Sequence, residues 1–374
     1  MKKISILVSY SGDGGVEKIT NDILRGLVQR GVAVDLLLIK AKPPFVDGIP
    51  PEVNQIRLRR NSARLATSEL VDYLKRERPP VLMAAKHRGL LLALRARKSS
   101  GVNTVIVGQI HSEVTSSLTS KPWYNRLLRL HEVRKHYPDA DAIIGVSQGV
   151  VDDLIHITAM PETRFRCIYY PILDDSIAVR AAEKIDHPWL TDDRRIPVFL
   201  GVGRFTDQKG FDDLIRAFAR VLEKREARLL ILGRGPLQSM LEELVTELGI
   251  GDHVDFAGFQ PNPLAYMARC DVFVLSSRWE GFGIVLAEAM AANAKVVSTD
   301  CRSGPSEILM QGRCGPLVPV GDINALAAAM SNQLDKELDP QIYTESLKRF
   351  TQDFVSNEYI NYLSSLTAQD AKTA

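Results

Sequence analysis

Long apolar runs are missing from this chain. Its 374 residues are 45% hydrophobic, yet no run comes near the ~20 residues that span a bilayer as a helix. Lys2-Lys3 precedes only a short apolar stretch, residues 4–8. That is too short for a signal peptide and reads as a first buried strand. Cysteine is scarce. Cys167, Cys270, Cys301 and Cys314 stand far apart with no metal or redox spacing, which suits reduced thiols and a cytoplasmic setting. No Cys-x-x-Cys, His-x-x-x-His or Walker loop is present, so neither a zinc centre nor a phosphate-loop kinase is expected, and nothing is read as hydrolase chemistry. Asp139-Ala140-Asp141 has the form of a divalent-cation pair, but it precedes a strand, at the amino end of a sheet. It is read as a connection, and no metal site is expected.

Net charge is also small, at +2. It hides an asymmetry. Residues 1–172 carry 26 basic and 16 acidic side chains, a net of +10, and residues 173–374 carry 21 and 29, a net of −8. A basic half suits an anionic partner or surface. No nucleic-acid partner is expected. Two basic stretches interleave cations with apolar residues, as helices at a membrane interface do. One is residues 86–98 and the other 121–130. Arg57-Leu58-Arg59-Arg60 adds to the same field. An ordinary surface helix with an apolar inner face is the competing reading for both.

What is present is strand–helix alternation, which predicts parallel sheets covered on both faces. At 374 residues two domains are expected. Strands are predicted at 3–9, 32–39, 81–84, 104–110, 142–146 and 167–170. Ser11-Gly12-Asp13-Gly14-Gly15 forms a turn into a helix over 16–30, closed by Gly31. The glycines do not spell G-x-G-x-x-G, which weakens a dinucleotide reading. Residues 173–196 read as a linker. The pattern then restarts, with strands at 198–202, 228–232, 254–257, 272–275 and 295–298. Helices are predicted at 211–225, 237–248 and 323–334. Residues 341–366 form one or two helices with an aromatic stripe, and the last eight residues fray. The domains expected are residues 1–172, binding acceptor, and 197–340, binding donor. Helices over 341–374 would pack back toward the first.

The chemistry concentrates in Ser276-Ser277-Arg278-Trp279-Glu280-Gly281-Phe282-Gly283-Ile284-Val285-Leu286-Ala287-Glu288. A strand, a glycine turn and a helix put a helix N-terminus at the carboxyl end of a strand, where ligands collect in open α/β sheets. Its N–H groups suit phosphate or sugar hydroxyls. Glu280 in the turn and Glu288 on the helix flank it, and a carboxylate accepts from neighbouring hydroxyls. Arg204 and Lys209, on the loop after residues 198–202, supply two cations for a diphosphate. His111, after the strand at 104–110, is placed to touch a sugar or take a proton. His87 is a weaker case of the same kind.

Several stretches together resemble the retaining glycosyltransferases of family 4, with the GT-B fold. They are Gly14-Gly15-Val16-Glu17, Gly203-Arg204-Phe205 with Lys209-Gly210, Gly233-x-Gly235-Pro236, and Glu280-Gly281-Phe282-Gly283 with Glu288. Asp300-Cys301-Arg302-Ser303-Gly304-Pro305-Ser306-Glu307-Ile308 is similar to bacterial members that use UDP-hexoses or UDP-N-acetylhexosamines. The resemblance implies two Rossmann-like domains with sheets facing across a cleft. It implies metal-independent, retaining transfer of a sugar from a UDP-sugar, with no cofactor, to a glycan or lipid-linked acceptor in polysaccharide or lipopolysaccharide synthesis. The basic stretches noted above add an anionic membrane face as a further expected partner, with the chain peripheral there.

The same resemblance implies roles. Arg204 and Lys209 would hold the diphosphate. Glu288 would take the ribose and Glu280 the donor sugar. The backbone of Phe282, Gly283, Ile284 and Val285 would fix sugar and phosphates. Gly15 would approach the diphosphate, His111 would lie beside the reacting carbon, and Phe259 would lie near the base. Tyr170-Pro171 departs from the pattern, where Asn before Pro or Gly is frequent. A non-catalytic nucleotide-sugar-binding subunit, or an epimerase or phosphorylase on the same fold, stays open as an alternative.

Overall fold

A computed structural model describes residues 1–10, 15–58, 63–119, 121–191 and 193–373. The turn expected at Ser11-Gly12-Asp13-Gly14 and the cations Arg59 and Arg60 lie outside the described residues. The chain divides into two compact units. One is Met1–Ile172 with Phe350–Ala374, and the other is Leu173–Arg349.

In the first unit, among the described residues, seven parallel strands form one sheet in the order β3-β2-β1-β4-β5-β6-β7. They are β1 (Lys3–Tyr10), β2 (Ala33–Ala41), β3 (Asn54–Arg57), β4 (Val81–Ala85), β5 (Val105–Ile110), β6 (Ala142–Gly145) and β7 (Phe165–Cys167). The central strands are buried throughout, as a sheet covered on both faces requires. The order reverses direction between β1 and β4. The helix Gly15–Gln29 follows β1, and Lys86–Ser100 follows β4.

The last helix, Gln352–Thr373, belongs to this unit. It buries Val355, Tyr359 and Leu363. Tyr359 Oη accepts a hydrogen bond from Gln109 Nε2 at 2.6 Å. Arg30 donates to Asp353 and Asn357. A Cβ on Gly26 would overlap Ser356 Oγ at 1.9 Å, so a glycine there lets the two helices meet. The helix continues to Thr373, through seven of the eight residues expected to fray. Within the expected aromatic stripe Tyr343, Phe350 and Tyr359 are buried, while Phe354 is exposed.

In the second unit, among the described residues, six parallel strands run in the order β10-β9-β8-β11-β12-β13. They are β8 (Val198–Val202), β9 (Arg228–Leu232), β10 (Val254–Gly258), β11 (Val272–Leu275), β12 (Lys295–Thr299) and β13 (Leu317–Val318). Here the order reverses between β8 and β11. The helix Phe211–Leu222 buries Leu214, Ile215, Phe218 and Val221 against Phe199, with Leu222 partly buried beside them. The helix Pro340–Leu347 sits in this unit, where Tyr343 Oη donates to the Ala294 carbonyl.

Two expectations change, one strand goes beyond them, and one open reading is decided. The strand expected at 167–170 is Phe165–Cys167, because the chain turns away after Ile168, whose N–H still reaches the Gly145 carbonyl. The edge strand β3 was not foreseen, since its mostly exposed residues show no alternation. The stretch read as a linker holds a helix, Ser176–Ala182. It is docked: Asn262 and Arg269 donate to its Arg180 and Ala181 carbonyls, and His187 pairs with Asp255 at 3.0 Å. The basic stretch 86–98 is an ordinary covered helix that buries Leu90, Leu91, Leu92 and Leu94.

Candidate active site

In the second unit the site forms at the reversal of strand order, where adjacent strands send their helices to opposite faces and leave a crevice. The loop after β8, residues 203–210, lies beside the loop after β11, residues 276–283. Ser276 Oγ donates to the Lys209 carbonyl at 2.8 Å. Gln208 Nε2 donates to the Trp279 carbonyl at 3.0 Å, and the Arg278 N–H to that of Gln208 at 2.8 Å. Gly210 is left-handed, and a Cβ there would stand 2.3 Å from the Ser276 carbonyl oxygen. Only glycine permits that approach.

Arg278 anchors the pair of loops. Its guanidinium bonds Asp207, Asp212 and Asp213 at 3.1, 2.7 and 2.9 Å. Burial alone would raise the Asp212 carboxyl, but Arg278 outweighs it and holds the group below its usual range. Burial and the Asp212 charge push Asp213 up. A third loop joins by backbone contact. Phe205 N–H donates to the Arg234 carbonyl at 3.1 Å, and Gly203 N–H to that of Leu232 at 3.0 Å. The glycines of Gly233-Arg234-Gly235 lie flat on residues 203 and 205.

Within this frame Glu280 is buried, 7% exposed. Its Oε1 takes Lys209 Nζ at 2.5 Å and the Ser277 hydroxyl at 2.7 Å. Lys209, the cation expected to hold a diphosphate, is thus paired with Glu280. Arg204 is exposed, and among the described residues its side chain forms no ion pair. Glu288, 5% exposed, lies one turn into the helix Ile284–Ala291. Gly283 caps that helix in a left-handed conformation; its carbonyl takes the Leu286 N–H at 2.9 Å, and the N–H groups of Ile284 and Val285 before it precede the helix's own ladder. Phe282 is buried, and Ile284 and Val285 are half-buried. Gly304 backs the turn: a Cβ there would fall 1.7 Å from the Phe282 carbonyl oxygen. Phe259 is 63% exposed, with the Arg234 guanidinium 5.3 Å from its ring centre, a cation–π contact.

The first unit carries its own cluster at the carboxyl ends of β1, β4 and β5. Gly15 opens the first helix and is exposed. Glu17, in the first turn, is fully buried and pairs with Lys86 Nζ at 3.4 Å. Lys86 follows β4 with φ of 64°, a strained conformation for a side chain of its size and one that concentrates at functional sites. His111 follows β5. Its Nδ1 lies 2.7 Å from Tyr170 Oη, and the two rings stack. Its Nε2 is buried and has no hydrogen-bond partner among the described residues. Burial first and the Lys86 charge second lower its pKa to about 3. The neutral ring has one N–H and one lone pair. Tyr170 uses one of them, and Nε2 presents the other.

Tyr170, the residue that departed from the family pattern, therefore orients His111. His87 is less open: its nitrogens meet Tyr137 Oη and Glu132, each at 3.1 Å. Asp139 ends a short helical turn, and Asp141 directly precedes β6. The Asp141 carboxylate pairs with Arg97 and accepts the Ile106 N–H.

Sequence reasoning gave no role to Lys86, Ser277 or Arg234. It also took Gly-x-Ser-x-Gly to be absent, whereas Gly145-Val146-Ser147-Gln148-Gly149 spells that nucleophile-elbow pattern between a strand and a helix. Ser147 is fully buried and has ordinary extended backbone. Its hydroxyl caps the helix Gln148–Thr158 by accepting the Val150 N–H. It is a capping group rather than an exposed nucleophile.

Comparison with known proteins follows the same lines. Residues 184–352 match the family described as glycosyl transferases group 1, and residues 13–175 match Glycosyltransferase Family 4. The chain is 28% identical, over 97% of its length and all of the relative's, to a Campylobacter jejuni protein. That protein is named N-acetylgalactosamine-N,N'-diacetylbacillosaminyl-diphospho-undecaprenol 4-alpha-N-acetylgalactosaminyltransferase. The fold of the present chain matches the apo form of the lipopolysaccharide outer core galactosyltransferase WaaB, with a TM-score of 0.77 and 22% identity over 98% of this chain and 99% of that one. It also matches Anabaena Alr3699/HepE in complex with UDP-glucose, with a TM-score of 0.76 and 20% identity over 98% of this chain and all of the other. Among the described residues no helix is long and apolar enough to cross a membrane.

Proposed function

Because the chain belongs to the family-4 type of glycosyltransferases, with the GT-B fold, we propose that it moves a hexose or N-acetylhexosamine from a UDP-sugar to an acceptor hydroxyl. The acceptor is a glycan or lipid-linked intermediate of cell-envelope polysaccharide or lipopolysaccharide synthesis, met at the cytoplasmic face of a membrane. The bond from the anomeric carbon to the UDP oxygen breaks, and a bond to the acceptor oxygen forms on the same face of the sugar. The acceptor proton leaves with the UDP. No metal ion and no further cofactor take part.

The observation that carries this reading is the pair of buried carboxylates, Glu280 and Glu288, flanking the Gly283 helix N-terminus, with Lys209 and Arg204 on the neighbouring loop. Arg204 and Lys209 neutralise the diphosphate, the part that gains charge as it leaves, which is where fixed cations lower the barrier most. N–H groups of Phe282, Gly283, Ile284 and Val285 hold phosphate and sugar. Glu288 takes the ribose diol, and Glu280 takes donor-sugar hydroxyls. Phe259 with Arg234 borders the base. From the first unit, Gly15 approaches the diphosphate. His111, kept neutral, offers Nε2 to the sugar beside the reacting carbon. The relatives' names support the acceptor class: one acts on a diphospho-undecaprenol carrier and another in the lipopolysaccharide outer core. UDP-glucose bound to a third supports the donor.

A thermal-shift series with UDP, UDP-hexoses and UDP-N-acetylhexosamines tests donor binding, since a ligand of the native state raises the melting point. UDP release that requires a lipid-linked acceptor extract tests transfer. No shift with any uridine nucleotide would overturn the donor assignment. A shift without acceptor-dependent release would reduce the protein to a nucleotide-sugar-binding subunit. A new nucleotide sugar formed without acceptor would make it an epimerase.

A further inference from the structure

The helix Trp123–His136 buries little of itself. Trp123, Tyr124, Leu127 and Leu128 are 71, 51, 58 and 62% exposed. At ~100° per residue these four fall within an arc of about 140°. Val133, the helix's buried residue, lies well outside that arc. The same outward arc carries His131, Arg134 and Lys135 in the second half. Lys121 and Arg126 stand beside the apolar end, while Arg129 lies nearer Val133 and pairs with Glu132. The helix holds one carboxylate, Glu132, and it is engaged with His87 and Arg129.

Four large apolar groups standing together in water are costly unless something covers them. Of the two basic stretches singled out in the sequence, only this one leaves its apolar residues uncovered. We propose that this face is a membrane-docking surface, with the Trp123, Tyr124, Leu127 and Leu128 side chains entering the headgroup region of an anionic lipid bilayer. The cations beside them meet the lipid phosphates. Aromatic and aliphatic side chains ringed by Lys and Arg match that layered chemistry. A second copy of the chain fits less well, because it would bring cationic flanks against each other. The purpose of the surface rests on the lipid-linked acceptor proposed above, since docking would hold the enzyme where that acceptor lies.

The test is co-sedimentation of the full chain, without nucleotide or acceptor, with vesicles of phosphatidylcholine alone or with phosphatidylglycerol. Binding to the anionic vesicles is expected, weakened about fivefold for each cation removed by Arg126→Gln or Lys121→Gln. A triple variant, Trp123→Ala, Leu127→Ala, Leu128→Ala, should abolish it. These side chains are exposed, so its melting point should stay at the parent's value, and its donor-induced thermal shift should persist. A blue shift of tryptophan emission on vesicles, lost in Trp123→Phe, should accompany binding. Equal binding to neutral vesicles, or binding untouched by the triple variant, overturns the surface. So does concentration-dependent dimerisation that the triple variant abolishes. Vesicle binding is read without transfer, so loss of donor binding would overturn the proposed activity and leave this surface standing.

Discussion

Lys209 and Glu280, 71 residues apart in the chain, meet at 2.5 Å, with the Ser277 hydroxyl donating to the same carboxylate oxygen at 2.7 Å. The cation expected to await a phosphate is held by the acid expected to await a sugar. A ligand that brings its own negative charge must compete for this lysine, and one that brings hydroxyls must share this carboxylate.

Removing one partner of this pair should cost stability, because the other stays behind with its charge largely out of water. Lys209→Met is expected to lower unfolding free energy by about 3 kcal/mol, the low end for a broken buried pair because Lys209 keeps some water contact. Lys209→Met with Glu280→Gln should recover a good part of that loss. Urea melts of the two single variants and the double variant measure the coupling. A double variant as unstable as the sum of the singles would mean the contact contributes nothing.

Arg204 offers the opposite case, an exposed guanidinium without an ion-pair partner among the described residues. Arg204→Ala should leave the melting point of the free protein within about 1 °C, because surface substitutions of this kind cost little. UDP binding should weaken by roughly 10- to 100-fold, as expected for a lost charge-assisted contact. Calorimetric titration with UDP decides it; unchanged affinity would remove Arg204 from the diphosphate site.

Gly304 has no room for a side chain. A Cβ would fall 1.7 Å from the Phe282 carbonyl oxygen, at φ of +92°. Gly304→Ala should cost about 3 kcal/mol or more and displace the Phe282-Gly283 turn, so UDP-induced stabilisation should also disappear. Parent-like urea midpoint and UDP response would show that the turn does not depend on this contact.

His111, with its pKa lowered to about 3 by burial and then Lys86, should stay neutral from pH 5 to 8. Its ordinary pKa is about 6.5. Below that value the unfolded chain takes up a proton that the folded chain refuses. This residue therefore makes stability fall as pH drops from about 6.5 toward 3, by up to about 1.4 kcal/mol per pH unit, and leaves it flat above. NMR of the ring through pH 5 to 8 checks this, and a titration midpoint inside that range would refute it. Tyr170→Phe, which removes the group orienting the ring, should lower kcat more than it raises the donor KM.

The strand–turn–helix around Gly283 was legible because glycine spacing, a preceding apolar strand and two acids announce it locally. The sheets were legible for the same reason: buried parallel strands write themselves as apolar runs. β3 was not, because Asn54–Arg57 is an exposed edge with no alternation. The Lys209–Glu280 bond was beyond local reading. It exists because β8 and β11, separated by two strands in the chain, are neighbours in the sheet. Tyr170 likewise gains its role from a turn that replaced the expected strand. The apolar residues of 86–98 and 121–130 look alike in sequence; only packing tells which are covered.

Finally, the first unit is completed by residues that a ribosome adds only after the whole of the second unit. Tyr359 supplies the partner of Gln109, and Phe350 takes the Ile172 N–H. During synthesis the seven strands through Cys167 emerge long before that closing helix does, so the second unit has its whole sequence available first. A fragment ending near residue 345 would keep every strand and still leave the apolar bed of Tyr359 and Leu363 open to water, where chaperones and proteases find it.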